Sequence, residues 1–498
     1  MITETATEPI KARSEGSAGY LLKLLSGPLA AGLILLLPLP LSYQGRVALA
    51  TFACAIVWWI TQPLPWAVAA MLPFVVFPAV GVMDIAATMR LYGQPIFFWI
   101  LGTVLVGYAI EKHGLAHRVA LAFLALPGIG GKTHRLMFAY MLIVGVISMF
   151  VSDAASIAMM IPIGMSVVRH VRTMTGTSRE TPNFAAFITL GTFYASIAGG
   201  TATVMGVPHN AIAMASLNRL TGRQLGFFEW MTVGVPVFVI MLVAFYAVLW
   251  VMARPEFDDV PSGEAFLRAE RAKLGPMRSN ERRVLFVFAV MVCLFTFPAF
   301  AGLALGNQHA VTAWASRAFN VWVIPPAMLF VLFITRSADG SGESLVTWKD
   351  AERQAPWNAM LLVTGAVAMT DALVQFGFVG FMGSIVQGLG IVPWALPYVV
   401  APVVAVSTNF ISGTAAAALY CSIFIPAAAQ IGYNPASIAI LIANVALGLV
   451  FPWAGATAAT TFTGGEIKMQ RMMRIGVVAT ITFALVAATI HLMMSGLI

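Results

Sequence analysis

Charge is what this sequence has least of. Only 10% of its 498 residues are Asp, Glu, Lys or Arg, against about 25% in a soluble domain, and the longest polar stretch, Arg254–Arg283, is too short to be a domain of its own. Cysteine is nearly missing too. Cys54, Cys293 and Cys421 lie inside apolar segments with neither CxxC nor Cys/His spacing, so they read as buried small hydrophobes rather than disulfides or metal ligands. No HExxH occurs among the seven histidines. Gly130-Gly131-Lys132-Thr133 ends like a phosphate-binding loop, but Leu126 stands where that motif needs glycine, and the segment joins apolar stretches rather than a strand and a helix. No nucleophile and base stand together, and an enzyme is not expected.

What fills the chain instead is apolar sequence: 60% hydrophobic residues and a mean hydropathy of +0.88. A helix needs about 20 apolar residues to cross a core of about 30 Å, and such stretches run from one end to the other. Spans are expected at 20–40, 46–62, 66–83, 95–111, 184–216, 231–252, 284–305, 318–335, 357–389, 436–463 and 475–496. Two further apolar stretches, 137–168 and 395–430, break at polar centres and are read as re-entrant hairpins. The expected fold class is thus an all-α polytopic membrane protein of about eleven spans plus two hairpins. It divides into a polar, disordered tail 1–19, a first membrane half 20–252, a cytoplasmic loop 253–283 and a second half 284–498.

The formal charge of +8 sits in short loops, without basic runs interleaved with aromatics, so membrane lipid is expected as its partner and nucleic acid is not. With the N-terminus (Lys11, Arg13, Lys23) in the cytoplasm and the C-terminus outside, all 28 Lys and Arg but Arg46, Arg90, Arg219, Arg223 and Arg317 fall on the inner side. Letting the hairpins span would degrade that bias. The first apolar run ends in Pro-Leu-Pro-Leu without a cleavage site, so no signal peptide is expected.

The halves echo each other. Each hairpin has a Ser-centred tip, Ser152-Asp153-Ala154 in one and Ser412-Gly413-Thr414 in the other, and each is followed by an interrupted helix and then an intact span. The interruptions are expected at Gly199-Gly200-Thr201 and Gly206-Val207-Pro208-His209-Asn210 in the first half and around Pro452–Thr461 in the second. Five spans separate the hairpins, an odd number, so the repeats are inverted. Matched interrupted helices point to a midplane solute site. Helix N-termini exposed at breaks suit an anion, unwound carbonyls suit a cation, and irregular backbone survives at that depth only inside protein or beside a wet cavity.

Ionisable residues inside apolar segments are costly and usually functional. Asp153 at a tip reads as a helix N-cap or a site residue. His209, in a break, reads as a core histidine or as a proton-linked one. Asp371 reads as structural, pairing within its own bundle.

The chain also resembles the divalent-anion/sodium symporter family of di- and tricarboxylate and sulfate carriers, within the ion transporter superfamily. The likeness runs from about Arg46 to Gly476 and includes Trp58-Trp59-Ile60-Thr61-Gln62-Pro63-Leu64-Pro65, Glu111-Lys112-His113-Gly114-Leu115-Ala116-His117-Arg118, Phe228-Glu229-Trp230-Met231 with Gly234, and Trp348-Lys349-Asp350 before Pro356-Trp357. The resemblance implies an elevator-type transporter of small anionic solutes, a homodimer in the inner membrane, with sodium as coupling ion and no organic cofactor. It implies solute contacts from Ser152, Asp153, Ala154, Ser412, Gly413 and Thr414, with Pro208 and His209. Sodium contacts would come from Ser152, Asp153, Gly200, Gly206 and Asn210 in one half and Ser412, Ala454 and Ala458 in the other.

The family's tips read Ser-Asn-Thr and its breaks Thr-Pro-Pro-Asn, and here both signatures are eroded. Asp153 and Gly413 replace the Asn residues, Ala154 replaces one Thr, and Gly455-Ala456-Thr457-Ala458 stands for the second break. In the first break Val207 and His209 replace Thr and the second Pro. A carboxylate about 4 Å from an anionic solute costs roughly 4 kcal/mol at an effective dielectric near 20, so Asp153 and His209 are read as a charge-balancing pair that could replace sodium. A proton-coupled carrier or exchanger of a less charged, even zwitterionic, solute therefore stays open. So does a binding or receptor protein without turnover.

Overall fold

The computed structural model describes residues 17–174, 181–306, 308–378 and 392–496, with 380, 381, 384, 388 and 390 between the last two. Regular structure among them is helical apart from two isolated bridges, Lys132 with Asp259 and Arg336 with Ser344. Ten helical runs are long and apolar enough to cross a membrane, among the described residues. Others, including Trp66–Ala79, Ile324–Ile334 and Pro435–Val445, are apolar but too short to cross singly. The expected tail 1–19 lies outside the described residues except for its last three, which open the first helix.

In the first half, α1 (Ser17–Leu36) packs along α2 (Tyr43–Thr61), which Ser42 caps by accepting from the Gly45 N–H at 3.1 Å. The span expected at 66–83 is two short helices, α3 (Trp66–Ala69) and α4 (Leu72–Ala79), because Pro65 and Pro73 each favour a new helix start. Next come α5 (Ile85–Tyr92), α6 (Pro95–Lys112) and α7 (Leu115–Leu124). α5 and α7 fall between the expected spans; Asp84 and Gly114, at φ 78°, supply their starts. The first hairpin is α8 (Thr133–Ser148) and α9 (Asp153–Met174). Behind it are α10 (Pro182–Ala202), α11 (Pro208–Thr221) and α12 (Phe227–Met252).

The polar loop holds α13 (Gly263–Lys273). The second half continues with α14 (Ser279–Leu305), α15 (Ala310–Ala318), α16 (Ile324–Ile334), α17 (Trp348–Gln354) and α18 (Trp357–Gln375). The span expected at 357–389 is not continuous: α18 stops at Gln375, where Gly377 turns the chain at φ 89°. The second hairpin is α19 (Leu396–Ser407) and α20 (Gly413–Gln430), followed by α21 (Pro435–Val445), α22 (Ala456–Gly464) and α23 (Met469–Met494). Cys293 faces outward from α14, whereas Cys54 and Cys421 are buried, so only two of the three cysteines are core residues.

Packing sorts the helices into two bundles that each draw on both halves. One joins the hairpins to α10, α11, α12, α21, α22 and α23; the other, a frame, joins α1–α6 to α14–α18. They meet where α11 and α20 lie on α18 and where α9 and α11 lie on α6. Asp371, expected to pair within its own bundle, instead reaches Arg219 of α11 across this boundary at 3.2 Å. At the end of the frame bearing α17, Lys112 meets Asp350 at 2.7 Å. Burial opposes the Asp350 charge, but Lys112, the Thr347 N–H and hydroxyl, and the Tyr108 hydroxyl outweigh it and hold the carboxyl well below the usual carboxylate range. The pair's contribution is therefore fully present above the ordinary value of about 3.9 and is lost as pH falls from there through the depressed one.

The axis of the hairpin bundle is α10, whose residues from Phe184 to Ala202 are all buried. Gly199 and Gly200, expected to break this helix, instead stay inside it, and the break falls at 203–207. Their role is close approach: a Cβ on Gly199 would strike the Gly145 backbone of α8, and one on Gly200 would strike the Asp153 carboxylate. Gly199→Leu is accordingly expected to destabilise the bundle by about 3 kcal/mol or more, read as loss of the monodisperse peak in detergent and a lowered melting temperature.

Candidate functional site

Four irregular segments converge on one cavity of about 450 Å³. Its walls include the first tip (Ser152, Asp153, Ala154), the second tip (Ser412, Gly413, Thr414), the first break (Met205 to His209) and the second break (Ala446, Leu447, Gly448 and Ala454 to Thr457). The frame adds Trp66, Trp99 and Thr103 on one side and Tyr108, Glu111 and Gln354 at the α17 end. The N-termini of α9, α11, α20 and α22 thus all face the same space, bringing free N–H groups and positive dipole ends together. Acidic side chains on this lining are Asp153 and Glu111, with no Lys or Arg.

Asp153 is the first residue of α9 and almost fully buried. Its carboxylate does not cap α9. Oδ1 accepts from Ser148 Oγ at 2.7 Å, Ser196 Oγ donates to the Asp153 carbonyl at 3.2 Å, and the two serine oxygens are 3.0 Å apart. The same Oδ1 fills the space beside Gly200. Asn210 secures the break behind it, donating from Nδ2 to the carbonyls of Gly200 and Thr203 at 2.8 Å each and leaving Oδ1 buried without a partner. Thr203 Oγ1 donates to the Met149 carbonyl, tying break to tip.

The second half has a matching tie on different residues. Asn409, just before the tip, accepts from the Val450 N–H at 2.8 Å and donates to the Ala405 carbonyl at 2.8 Å. Ser412 caps α20, accepting from the Ala415 N–H at 3.1 Å. Gly413 is packed so closely that a Cβ there would strike the Ala446 carbonyl and come within 3.5 Å of His209 Nδ1. His209 is 5% exposed, and its Nε2 has no hydrogen-bond partner. His209 and Asp153 line one cavity but are not hydrogen-bonded to each other, so the expected pair is at most a pair across the solute space.

Of the residues singled out beforehand, Ser152, Asp153, Ala154, Gly206, Pro208, His209, Ser412, Gly413, Thr414 and Ala454 line the cavity. Gly200, Asn210 and Ala458 stand outside its lining, the first two directly behind the first break. The second break runs from 446 to 455, earlier than expected, because α21 ends at Val445. Sequence reasoning missed Ser148, Ser196 and Thr203, ordinary helix residues until the fold brings them to Asp153 and Met149. It also missed Asn409, although an Asn three residues before a Ser-centred tip was a signal.

With this geometry in hand, residues 20–497 match the family described as the sodium:sulfate symporter transmembrane region. The chain belongs to this family. Among curated relatives, the sodium-dependent dicarboxylate transporter SdcS of Staphylococcus aureus strain bovine RF122 is 26% identical over 476 residues, covering 94% of this chain and 89% of the relative. The protein of the same description from Staphylococcus saprophyticus is 26% identical over 468 residues, covering 92% and 88%. Among solved structures, the YdaH transporter of Alcanivorax borkumensis superposes with a TM-score of 0.51 at 13% identity, covering 96% of this chain and 97% of that one. That likeness supports the fold alone.

The close contact at Gly413 generates a sharp expectation. Gly413→Asn, which rebuilds the family's Ser-Asn-Thr tip, should not improve the site but displace Ala446 or His209, lowering uptake at least tenfold. Gly413→Ala should show part of the same loss. Both are checked by transport in proteoliposomes alongside a detergent melting curve.

Proposed function

We propose that this protein is a secondary active transporter of small anions, dicarboxylates foremost, coupled to sodium. The observation that supports it best is the meeting of both hairpin tips and both breaks on one cavity, in a member of a symporter family. The solute's negative groups would be held by the N-termini of α20 and α11, with Ser412, Thr414 and His209 beside them. Sodium, a hard cation, takes oxygen ligands. The first half offers the Asp153 carboxylate and the unpartnered Asn210 Oδ1, with Ser152 and the carbonyls around Gly200 and Gly206. The second half offers Ser412 and the backbone at Ala454 and Ala458. The protein would work as a homodimer in the bacterial inner membrane, N-terminus inside, the hairpin bundle sliding against the frame in an elevator-like motion.

A second reading has its own support. A lining with two carboxylates and no Lys or Arg favours a less charged solute or a proton as the coupling ion. Labelled succinate uptake into proteoliposomes under separate sodium and proton gradients separates them, and sodium-driven uptake is the expected result. Uptake driven by protons alone would overturn sodium coupling in favour of Asp153 and His209 as proton carriers. Asp153→Asn removes a negative charge from the cavity. At saturating sodium it should lower the succinate KM about tenfold, the equivalent of about 1.4 kcal/mol, and flatten its pH dependence, while raising the sodium concentration needed for half-maximal uptake. An unchanged KM and pH profile would show that Asp153 carries no charge during transport.

Sliding would also require the Arg219–Asp371 pair to break, since it joins α11 to α18 across the bundles. Arg219→Gln with Asp371→Asn should therefore raise the rate of succinate exchange severalfold with little change in KM. Slower exchange by the double variant would argue that the pair stays intact through the cycle.

A further inference from the structure

His491 is a fully buried ionisable residue near the end of α23, and no role assigned so far uses it. Its ring lies along one face of α21. Nε2 is 3.1 Å from Asn444 Nδ2, and Nδ1 is 3.4 Å from Ser437 Oγ. With the amide nitrogen against Nε2, the ring accepts there and carries its proton on Nδ1, facing the serine. Ser437 and Tyr433 each donate to the His491 carbonyl, at 3.1 and 3.0 Å. A core of apolar side chains would pack α21 on α23 without this polar set. Polar residues buried between membrane helices are costly enough to ask what they hold.

What they hold is the edge of the site. Asn444 is the last residue but one of α21, and Val445 ends the helix without a backbone bond from the following residue to close it. Two residues on, the Ala446 carbonyl rests against Gly413 at the second tip, and Ala446, Leu447 and Gly448 line the cavity. The far side of the same turn is fixed by Val450 on Asn409. The second break therefore hangs between two asparagines. Asn409 ties it to the tip, and Asn444, through its one side-chain hydrogen bond, ties it to α23. We infer that His491 is a positioning residue for the solute site, acting through Asn444 to set the backbone at 446–448 against the second hairpin tip.

This rests on the transport reading for its kinetic consequence but not for its structural one, so the test has two arms. Hydrogen exchange of the full-length protein in detergent is compared for wild type, His491→Leu, Asn444→Leu and the double variant, with His491→Gln as the conservative replacement. Exchange over 446–455 should rise about tenfold in both single variants, rise no further in the double variant, and stay at the wild-type level over 203–207. His491→Gln, which can still accept from Asn444, should restore protection. In proteoliposomes the Leu variants should raise the succinate KM about fivefold with kcat within about twofold. Equal loosening of both breaks, or unchanged exchange at 446–455, would overturn the inference. If His491→Leu is not recovered from membranes, Asn444→Leu carries the same expectation. Local loosening without succinate uptake in the wild type would leave the anchor standing and defeat the dicarboxylate reading instead.

Discussion

At 203–207 and 446–455 the backbone gives up helical hydrogen bonding in the middle of membrane-sized bundles. An unsatisfied peptide group there costs several kcal/mol, so each break must be met by side chains from elsewhere. Asn210 and Thr203 meet the first, linking it to α10 and to the tip of the first hairpin. Asn409 meets the second by accepting from the Val450 N–H, while Asn444 ties the helix before it to His491. The hairpins, the glycine contacts between α8 and α10 and the buried face of α23 all serve to bring those groups within reach. The cavity is the space these polar ties leave between the broken helices.

Much of this was legible in the chain. Segment length and hydropathy were enough for the polytopic all-α class, and Ser152 and Ser412 marked both tips correctly. Positions of the breaks were less legible, since glycine signals either unwinding or close approach and the sequence does not say which. Gly199 and Gly200 looked like a break and are instead contacts with Gly145 and Asp153. Proline was read more reliably: Pro208 starts α11, as its missing N–H favours. Illegible altogether were partners far apart in sequence, such as Ser196 with Asp153 or His491 with Asn444, because a polar residue on an apolar helix has no pattern that names its partner.

Anion binding without basic side chains follows from the same architecture. Lys or Arg in the cavity would hold an anion too firmly on both sides of the membrane and would have to be carried across with it. Helix N-termini supply partial positive charge fixed in the backbone, and a coupling cation adds the rest only when it is bound. Asp153 alters that balance. In the proposed sodium-coupled cycle, a carboxylate at this position would strengthen the hold on a cation and weaken the hold on an anion, so cation and solute would become more dependent on each other.

The departures from the family signature are also packed against close neighbours. The Asp153 carboxylate accepts from Ser148 and lies in the space beside Gly200. Gly413 fits because the Ala446 carbonyl and His209 occupy the space an Asn side chain would need. Three buried side-chain atoms beside the breaks lack a partner, His209 Nε2 and Asn210 Oδ1 at the first and Asn444 Oδ1 at the second, and His209 is itself one of the departures. Under the proposed sodium-coupled reading, these changes would keep the fold and move the charge balance of the site's occupants.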